Sequence, residues 1–255
     1  MSAVARQIEM HEEAAPEAAR FTASNGRELR VSCRLEPVLE LKAFRRIGYR
    51  MARQVVDVET GQPLSVADTV RLTRADLERI DLATLSRGLD RLQAESEGAK
   101  ELTLTLPVSY VSLSNPHGRK ALVDYFKQAR EAVLKGLVCE VTEIEGVPEV
   151  GLASALASIR PYCLLLVGRR CPPFGDSQIL ASVGLQGASI ECPSHLSDDA
   201  EFVGWARQST DAGRKVSRSI MAFGVPSTRH MAIAAHLGAS HGSLRSGPVT
   251  AAPAD

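Results

Sequence analysis

Apolar side chains fall at every second position where the regular pattern begins. Val31, Cys33, Leu35, Leu39 and Leu41 share one parity, the period of a strand. Pro37 interrupts the run, and because proline has no N–H for a ladder, an edge or a bulge is expected there. A second strand over about 46–56 follows after only a few residues, which makes the two an antiparallel hairpin. Thr73 with Asp76 resembles a capping box, and the helix it opens carries Leu77, Ile80, Leu85, Leu89 and Leu92 on one side. From there strands and helices alternate. Strands are predicted near 102–109, 137–142, 162–167, 188–191 and 215–223, and helices near 118–135, 150–159, 177–184, 198–212 and 226–236. The 118–135 helix is expected to bury Leu122, Tyr125, Phe126, Ala129 and Val133 and to stop at Gly136. Such alternation predicts a parallel sheet wrapped by helices, and about eight strands in roughly 225 residues fit a closed barrel better than an open sheet.

The ends differ from this middle. Residues 1–28 are rich in Ala and Glu without a sustained apolar stripe, and a flexible N-terminal arm is expected there. The barrel is expected over 29–248 and a short tail over 249–255. The Gly-rich stretch 238–247 lacks the spacing of a phosphate cradle and reads as a loop.

A chain of 255 residues with 44% hydrophobic content fits one large domain with ample core. Thirty Lys and Arg balance thirty Asp and Glu, so charge gives no argument for nucleic acid or an anionic membrane. The longest apolar runs, such as Cys163 to Val167, fall far short of a bilayer. Glu9, Glu12 and Glu13 stand where a signal peptide needs an apolar stretch, and a cytoplasmic location is expected. Five cysteines without a C-x-x-C suit that reducing compartment. Cys33, Cys139 and Cys163 lie in apolar runs, where thiols behave as small hydrophobes. Cys171, Cys192 and His195 match no zinc spacing, and no metal or other cofactor is expected. No G-x-S-x-G elbow supports a hydrolase triad.

Four landmarks follow one another along the chain. The first is Glu36-Pro37-Val38-Leu39-Glu40-Leu41, continuing through Gly48-Tyr49-Arg50-Met51-Ala52-Arg53-Gln54. The others are Glu140-Val141-Thr142-Glu143, Ala222-Phe223-Gly224-Val225, and His236-Leu237-Gly238-Ala239 with Ser246-Gly247-Pro248. In this order and spacing they resemble the EAL domain, the bacterial family that hydrolyses cyclic di-GMP. The likeness covers about residues 30–248 and implies a TIM-like (β/α)8 barrel of EAL type with an antiparallel first strand. Enzymatic members hold two divalent cations at the C-terminal ends of the strands. On that resemblance the signature glutamate falls on Arg50, the phosphate-contacting arginine on Gln54 and the metal-ligand glutamate of the third landmark on Phe223. The family's asparagine falls near Ser109 and its lysine on Ser189 or Glu191. Its Asp-Asp pair falls on Pro172 and Pro173 if Phe174-Gly175 sets the register, or on Gly168 or Arg170 if the strand does. Of the acids only Glu140 and Glu143 remain.

Hard cations need several anionic oxygens, and a fixed charge at Arg50 repels a dication by several kcal/mol even at an effective dielectric of ~20 and ~4 Å. The expectation is therefore a degenerate domain that is not an enzyme, with Arg50, Gln54, Ser109, Glu140, Glu143, Ser189, Glu191 and Phe223 lining a relic pocket. Arg50 is expected to pair with Glu140, its guanidinium standing in for the lost metal. Function is expected through a protein partner, a second copy of the chain included, with the segment 172–175 as contact surface. Two alternatives stay open: a non-hydrolysing cyclic di-GMP receptor and a phosphodiesterase of altered chemistry. Arg169, Arg170 and Phe174, beside the lost Asp-Asp loop, are the candidate contacts for a nucleotide or a partner.

Overall fold

The computed structural model describes residues 19–97, 103–129 and 134–245. Its strands are β1 (Ala19–Thr22), β2 (Glu28–Glu40), β3 (Arg45–Asp57), β4 (Leu104–Ser109), β5 (Leu137–Thr142), β6 (Leu165–Arg170), β7 (Gly187–Glu191), β8 (Ile220–Val225) and β9 (His241–Leu244). The helices are α1 (Val66–Val70), α2 (Arg74–Glu97), α3 (Tyr110–Ser114), α4 (Pro116–Gln128), α5 (Glu149–Ile159), α6 (Ser177–Ser182), α7 (Asp199–Arg214) and α8 (Thr228–His236). The strands lie in chain order in one sheet, and β2 also pairs with β9, so β2 to β9 close a ring. From β3 to β9 every pairing is parallel, while β2 runs antiparallel to both neighbours. This is the expected α/β barrel with an antiparallel first strand.

Pro37 sits inside β2, and two features accommodate it. On the β9 side the pairing covers only Leu39 and Glu40. On the β3 side the register slips just beyond it, between Val38 and Leu39, leaving Ile47 as the extra residue of a bulge. Gly48, across from Val38, is fixed by a close backbone approach. A Cβ there would stand 2.3 Å from the Thr103 carbonyl oxygen, which accepts from Tyr49 N at 2.8 Å. The small size of Gly48 thus serves the close approach of the chain at Thr103, just before β4.

Alternation sorts the strands into two faces. Leu104, Leu106 and Val108 of β4 and Leu137, Cys139 and Val141 of β5 pack with Leu85, Leu89, Leu122, Phe126, Leu152 and Leu156 of the helices. Each such fully buried side chain contributes about 1.5–3 kcal/mol. The opposite parity supplies a smaller inner layer of Val38, Val138, Val167, Met221 and Phe223. Thr73 and Asp76 form the expected capping box: Thr73 Oγ1 donates to Asp76 Oδ2 at 2.7 Å and accepts from Asp76 N at 3.3 Å. Ser24 N also donates to Asp76, at 2.9 Å, tying the β1–β2 turn to α2.

Several boundaries moved. Residues 19–28, expected in the flexible arm, form β1, its turn and the first residue of β2, with Ala19 opposite Val31. The rest of the arm and the tail over 249–255 lie outside the described residues, as do Val133 and Ser246 to Pro248. The glycine-rich stretch contains β9, which closes the ring. The sixth strand starts at Leu165 rather than 162 because Arg160–Tyr162 is a 3-10 turn, and it ends in two arginines that find partners. The eighth starts at Ile220 because α7 runs to Arg214 and Val216 and Ser217 turn back onto Gly213. α4 ends at Gln128, where Ala129 becomes extended with ψ 145°. Tyr125 is 38% exposed, at the margin of the stripe formed by Leu122 and Phe126.

Candidate functional site

The parallel strands deliver their C-terminal ends to one mouth, and charged side chains of lumen parity meet there. Arg50 on β3 lies opposite Glu36 on β2 and is 3% exposed. Its Nη2 donates to Glu191 Oε2 at 2.5 Å, and its Nη1 stands 3.7 Å from Glu36 Oε2. The guanidinium also covers Phe223, 4.5 Å from the ring centroid. Arg169 on β6 grips Glu140 on β5 with two bonds, Nε to Oε1 at 3.1 Å and Nη2 to Oε2 at 2.6 Å. Its Nη1 lies 3.0 Å from the same Glu191 oxygen that Arg50 holds. Ser189, opposite Arg169 on β7, donates to Glu140 Oε1 at 2.5 Å, and Ser243 on β9 donates to Glu36 Oε2 at 3.1 Å. Gly224, at φ 64°, takes a left-handed turn that suits glycine, and its N–H donates to Ser243 Oγ at 3.3 Å.

Two cations and three carboxylates thus form one chain of ion pairs, with an excess of one negative charge. Burial pushes the Glu140 carboxyl up, but Arg169 and then Arg50 outweigh it and hold it below the usual range. Burial likewise opposes ionisation of Glu191, yet Arg169 and Arg50 bring its pKa down to about 2. Burial works against the charge of Arg169 as well, and Glu140 and Glu191 more than restore it, so its pKa is raised.

The expected pairing of Arg50 with Glu140 is corrected. β4 stands between β3 and β5, so Arg50 reaches Glu191 and Glu36, while Arg169 from adjacent β6 takes Glu140. Arg169 and Arg170 are not loop residues either; they are the last two of β6. Arg170 is 2% exposed, and its Nε donates to Glu145 Oε1 at 2.6 Å. Glu145 accepts further from Cys171 N at 3.2 Å and Gly175 N at 2.6 Å, while Arg170 Nη2 donates to Gly175 O at 3.2 Å. Phe174 lies under the same guanidinium, 5.4 Å away. Residues 171–175 are therefore strapped down by one Arg–Glu pair.

Other predicted positions fall outside the ion-pair chain. Ser109 caps α3, accepting from Val111 N at 3.1 Å and donating to Glu143 Oε2 at 2.5 Å. Glu143 holds a left-handed φ of 60°. Ser109 N donates to Asp81 Oδ2 at 2.9 Å, and Asp81 also takes Arg53 Nη1 at 2.5 Å. Gln54 lies opposite Ser32, about 13 Å further along β3 than Arg50 at ~3.3 Å per residue. Glu36, Ser243, Asp81 and Glu145 are the residues sequence reasoning missed. For Glu36 a signal existed, since its parity is opposite to that of Leu35 and Leu39 in β2; Ser243 gave none, because its stretch reads as a loop.

These residues do not fit a pair of divalent cations as arranged. Both oxygens of Glu140 are engaged by Arg169 and Ser189, and two fixed cations stand among the acids. Among the described residues no group of three or more His, Cys, Asp or Glu is placed to hold a metal ion. Cys171 is exposed and Cys192 buried, with Cys192 Sγ 3.7 Å from Arg245 Nη2. No helix among the described residues is long and apolar enough to cross a membrane.

No family model and no curated protein matches this sequence. Solved structures do. The chain is similar to the EAL enzyme Bd1971 in its cAMP-bound form, with 14% identity and a TM-score of 0.58 over 84% of this chain and 61% of that one. PaMucR phosphodiesterase in complex with c-di-GMP gives 13% and 0.61 over 84% and 93%. BlrP1 of Klebsiella pneumoniae, in a manganese/cy-diGMP complex, gives 17% and 0.54 over 89% and 57%. The chain thus spans less than two thirds of Bd1971 and BlrP1 and nearly all of PaMucR. These likenesses establish the fold as an EAL-type barrel. They also correct the expectation that the chain is not an enzyme: structures sharing its fold are described as an enzyme and a phosphodiesterase. Missing acids at the mouth are not grounds to deny turnover.

Proposed function

We propose that the protein is a regulatory EAL-type domain of cyclic di-GMP signalling in the cytoplasm, exerting its effect by contact with another protein. The surface beside the barrel mouth carries this reading. A cleft of about 110 Å³ is lined by Ile144, Val147, Pro148, Ile179 and Leu180 together with Glu145, Gly146 and Asp176, next to the segment that Glu145 and Arg170 pin. Two residues beyond Pro148, Val150, in the first turn of α5, is 83% exposed. A large exposed apolar side chain beside a preformed apolar cleft on a rigid frame suits a protein partner. All five cysteines are free, which fits a reducing compartment. The family resemblance implies that this region supports pairing of two copies, so a second copy is the first partner to test. Light scattering is expected to give the mass of two chains, reduced to one by Val150→Arg. One chain in both cases, with the same proteins recovered by both from the native host, would remove the reading.

A second reading, recognition of cyclic di-GMP at the mouth, is favoured by one observation. Arg50 and Arg169 converge on a single carboxylate oxygen of Glu191, and Arg50 Nε and Nη1 donate no hydrogen bond among the described residues. Paired guanidinium groups suit a phosphodiester as well as a carboxylate. Calorimetry tests it: micromolar or tighter binding of cyclic di-GMP supports the reading, and none at millimolar ligand ends it. A hydrolysis assay with manganese on the same preparation decides whether bound ligand is turned over.

A further inference from the structure

We infer that Glu191 is a built-in occupant of a two-arginine phosphodiester site, so that ligand enters by displacing its carboxylate from Arg50 and Arg169. This rests on the nucleotide reading above and names the residue that controls access to that site.

The three carboxylates at the mouth are not equivalent. Glu36 and Glu140 are 6% and 0% exposed, and each is held by a serine as well as an arginine. The Glu191 side chain is 40% exposed, ends its strand, and with one oxygen accepts from Arg50 Nη2 and lies 3.0 Å from Arg169 Nη1. It is the acid that solvent reaches. Charge points the same way. Arg50 and Arg169 balance Glu36 and Glu140, and Glu191 feels Arg245 as a further cation. A phosphodiester carries the same single negative charge as the carboxylate whose place it would take at the two guanidinium groups. Arg50 adds geometry, because Nε is a buried donor without an acceptor among the described residues and Nη1 faces only Glu36 Oε2, 3.7 Å away and beyond hydrogen-bond reach. A carboxylate using one oxygen leaves them unserved, and a buried unserved donor is a cost that a better acceptor relieves. A phosphodiester brings two non-bridging oxygens. The displaced Glu191 retains a cation nearby, since Arg245 also draws its carboxyl down.

The experiment titrates wild type, Glu191→Gln and the double variant Glu191→Gln with Arg169→Met, using cyclic di-GMP and, separately, dimethyl phosphate as a bare phosphodiester. Glu191→Gln is expected to bind both at least tenfold more tightly than wild type, and adding Arg169→Met is expected to abolish the gain. Equal or weaker binding of both ligands by folded Glu191→Gln overturns the inference. A gain for dimethyl phosphate with no binding of cyclic di-GMP keeps the inference and removes the nucleotide reading. If Glu191→Gln does not fold, Glu191→Asp, whose carboxylate stops one methylene short of the arginines, carries the test: a smaller gain supports the inference and no gain overturns it.

Discussion

Arg169 meets Glu140 through two parallel hydrogen bonds, at 3.1 and 2.6 Å, inside a barrel where the carboxylate is 0% exposed. Neither charge tolerates the loss of the other, because a buried ion left alone keeps its desolvation cost without the attraction that offset it. Arg169→Met is expected to destabilise the fold by about 3–5 kcal/mol in urea unfolding. Adding Glu140→Gln removes the stranded charge and is expected to recover part of that loss. Strict additivity of the two would argue against the pair.

Arg50→Glu replaces the cation between Glu36 and Glu191 with a third acid and removes the contact with Phe223. A loss of about 3 kcal/mol or more is expected by thermal or urea unfolding. An unchanged midpoint would mean that Arg50 is not integral to the ion-pair chain.

The acids at the mouth also set a pH dependence. Glu140 and Glu191 have folded-state pKa values below the unfolded ones, so the unfolded chain binds more protons on acidification. Their contribution is fully present above the ordinary glutamate value of 4.5 and disappears as pH falls toward about 2. The urea midpoint is expected to drop as pH falls from about 5 to about 2, and Glu191→Gln is expected to flatten that drop. A midpoint that rises over this interval contradicts the assignment.

Glu145 holds Arg170 and two backbone amides of the adjoining segment. Glu145→Ala leaves the Arg170 guanidinium, which is 0% exposed, without its carboxylate, and a loss of about 3 kcal/mol is expected. Hydrogen exchange at the Cys171 and Gly175 amides should accelerate well before global unfolding. If those amides stay as protected as in wild type, the strap is not what orders the segment.

The fold was legible because the outer faces of the strands obey a simple rule. Leu137, Cys139 and Val141 alternate with Val138 and Glu140, and the helices between strands carry stripes such as Leu122 and Phe126. Reading failed where a strand buries charge. Arg169 and Arg170 look like loop residues until Glu140 and Glu145, distant in sequence, are seen to neutralise them. The same blindness hid Glu36, whose partners lie on β3 and β9. β9 was missed because His241 to Leu244 is too short and too polar to announce a strand; pairing to β2 and β8 defines it. Of the candidate site, the residue types at the mouth were legible, but which acid each arginine meets depends on the order of strands around the ring.

Two ladder pairs, Leu39 with Gly242 and Glu40 with His241, join the backbones of β2 and β9. They connect segments some two hundred positions apart, so closing this seam carries the loop-closure entropy of the whole intervening chain. During synthesis the open curve of strands waits with an unsealed edge until β9 emerges. A nascent chain stalled before β9 would present that edge to a neighbour, which makes the seam the place where chaperone engagement or strand exchange between copies would begin.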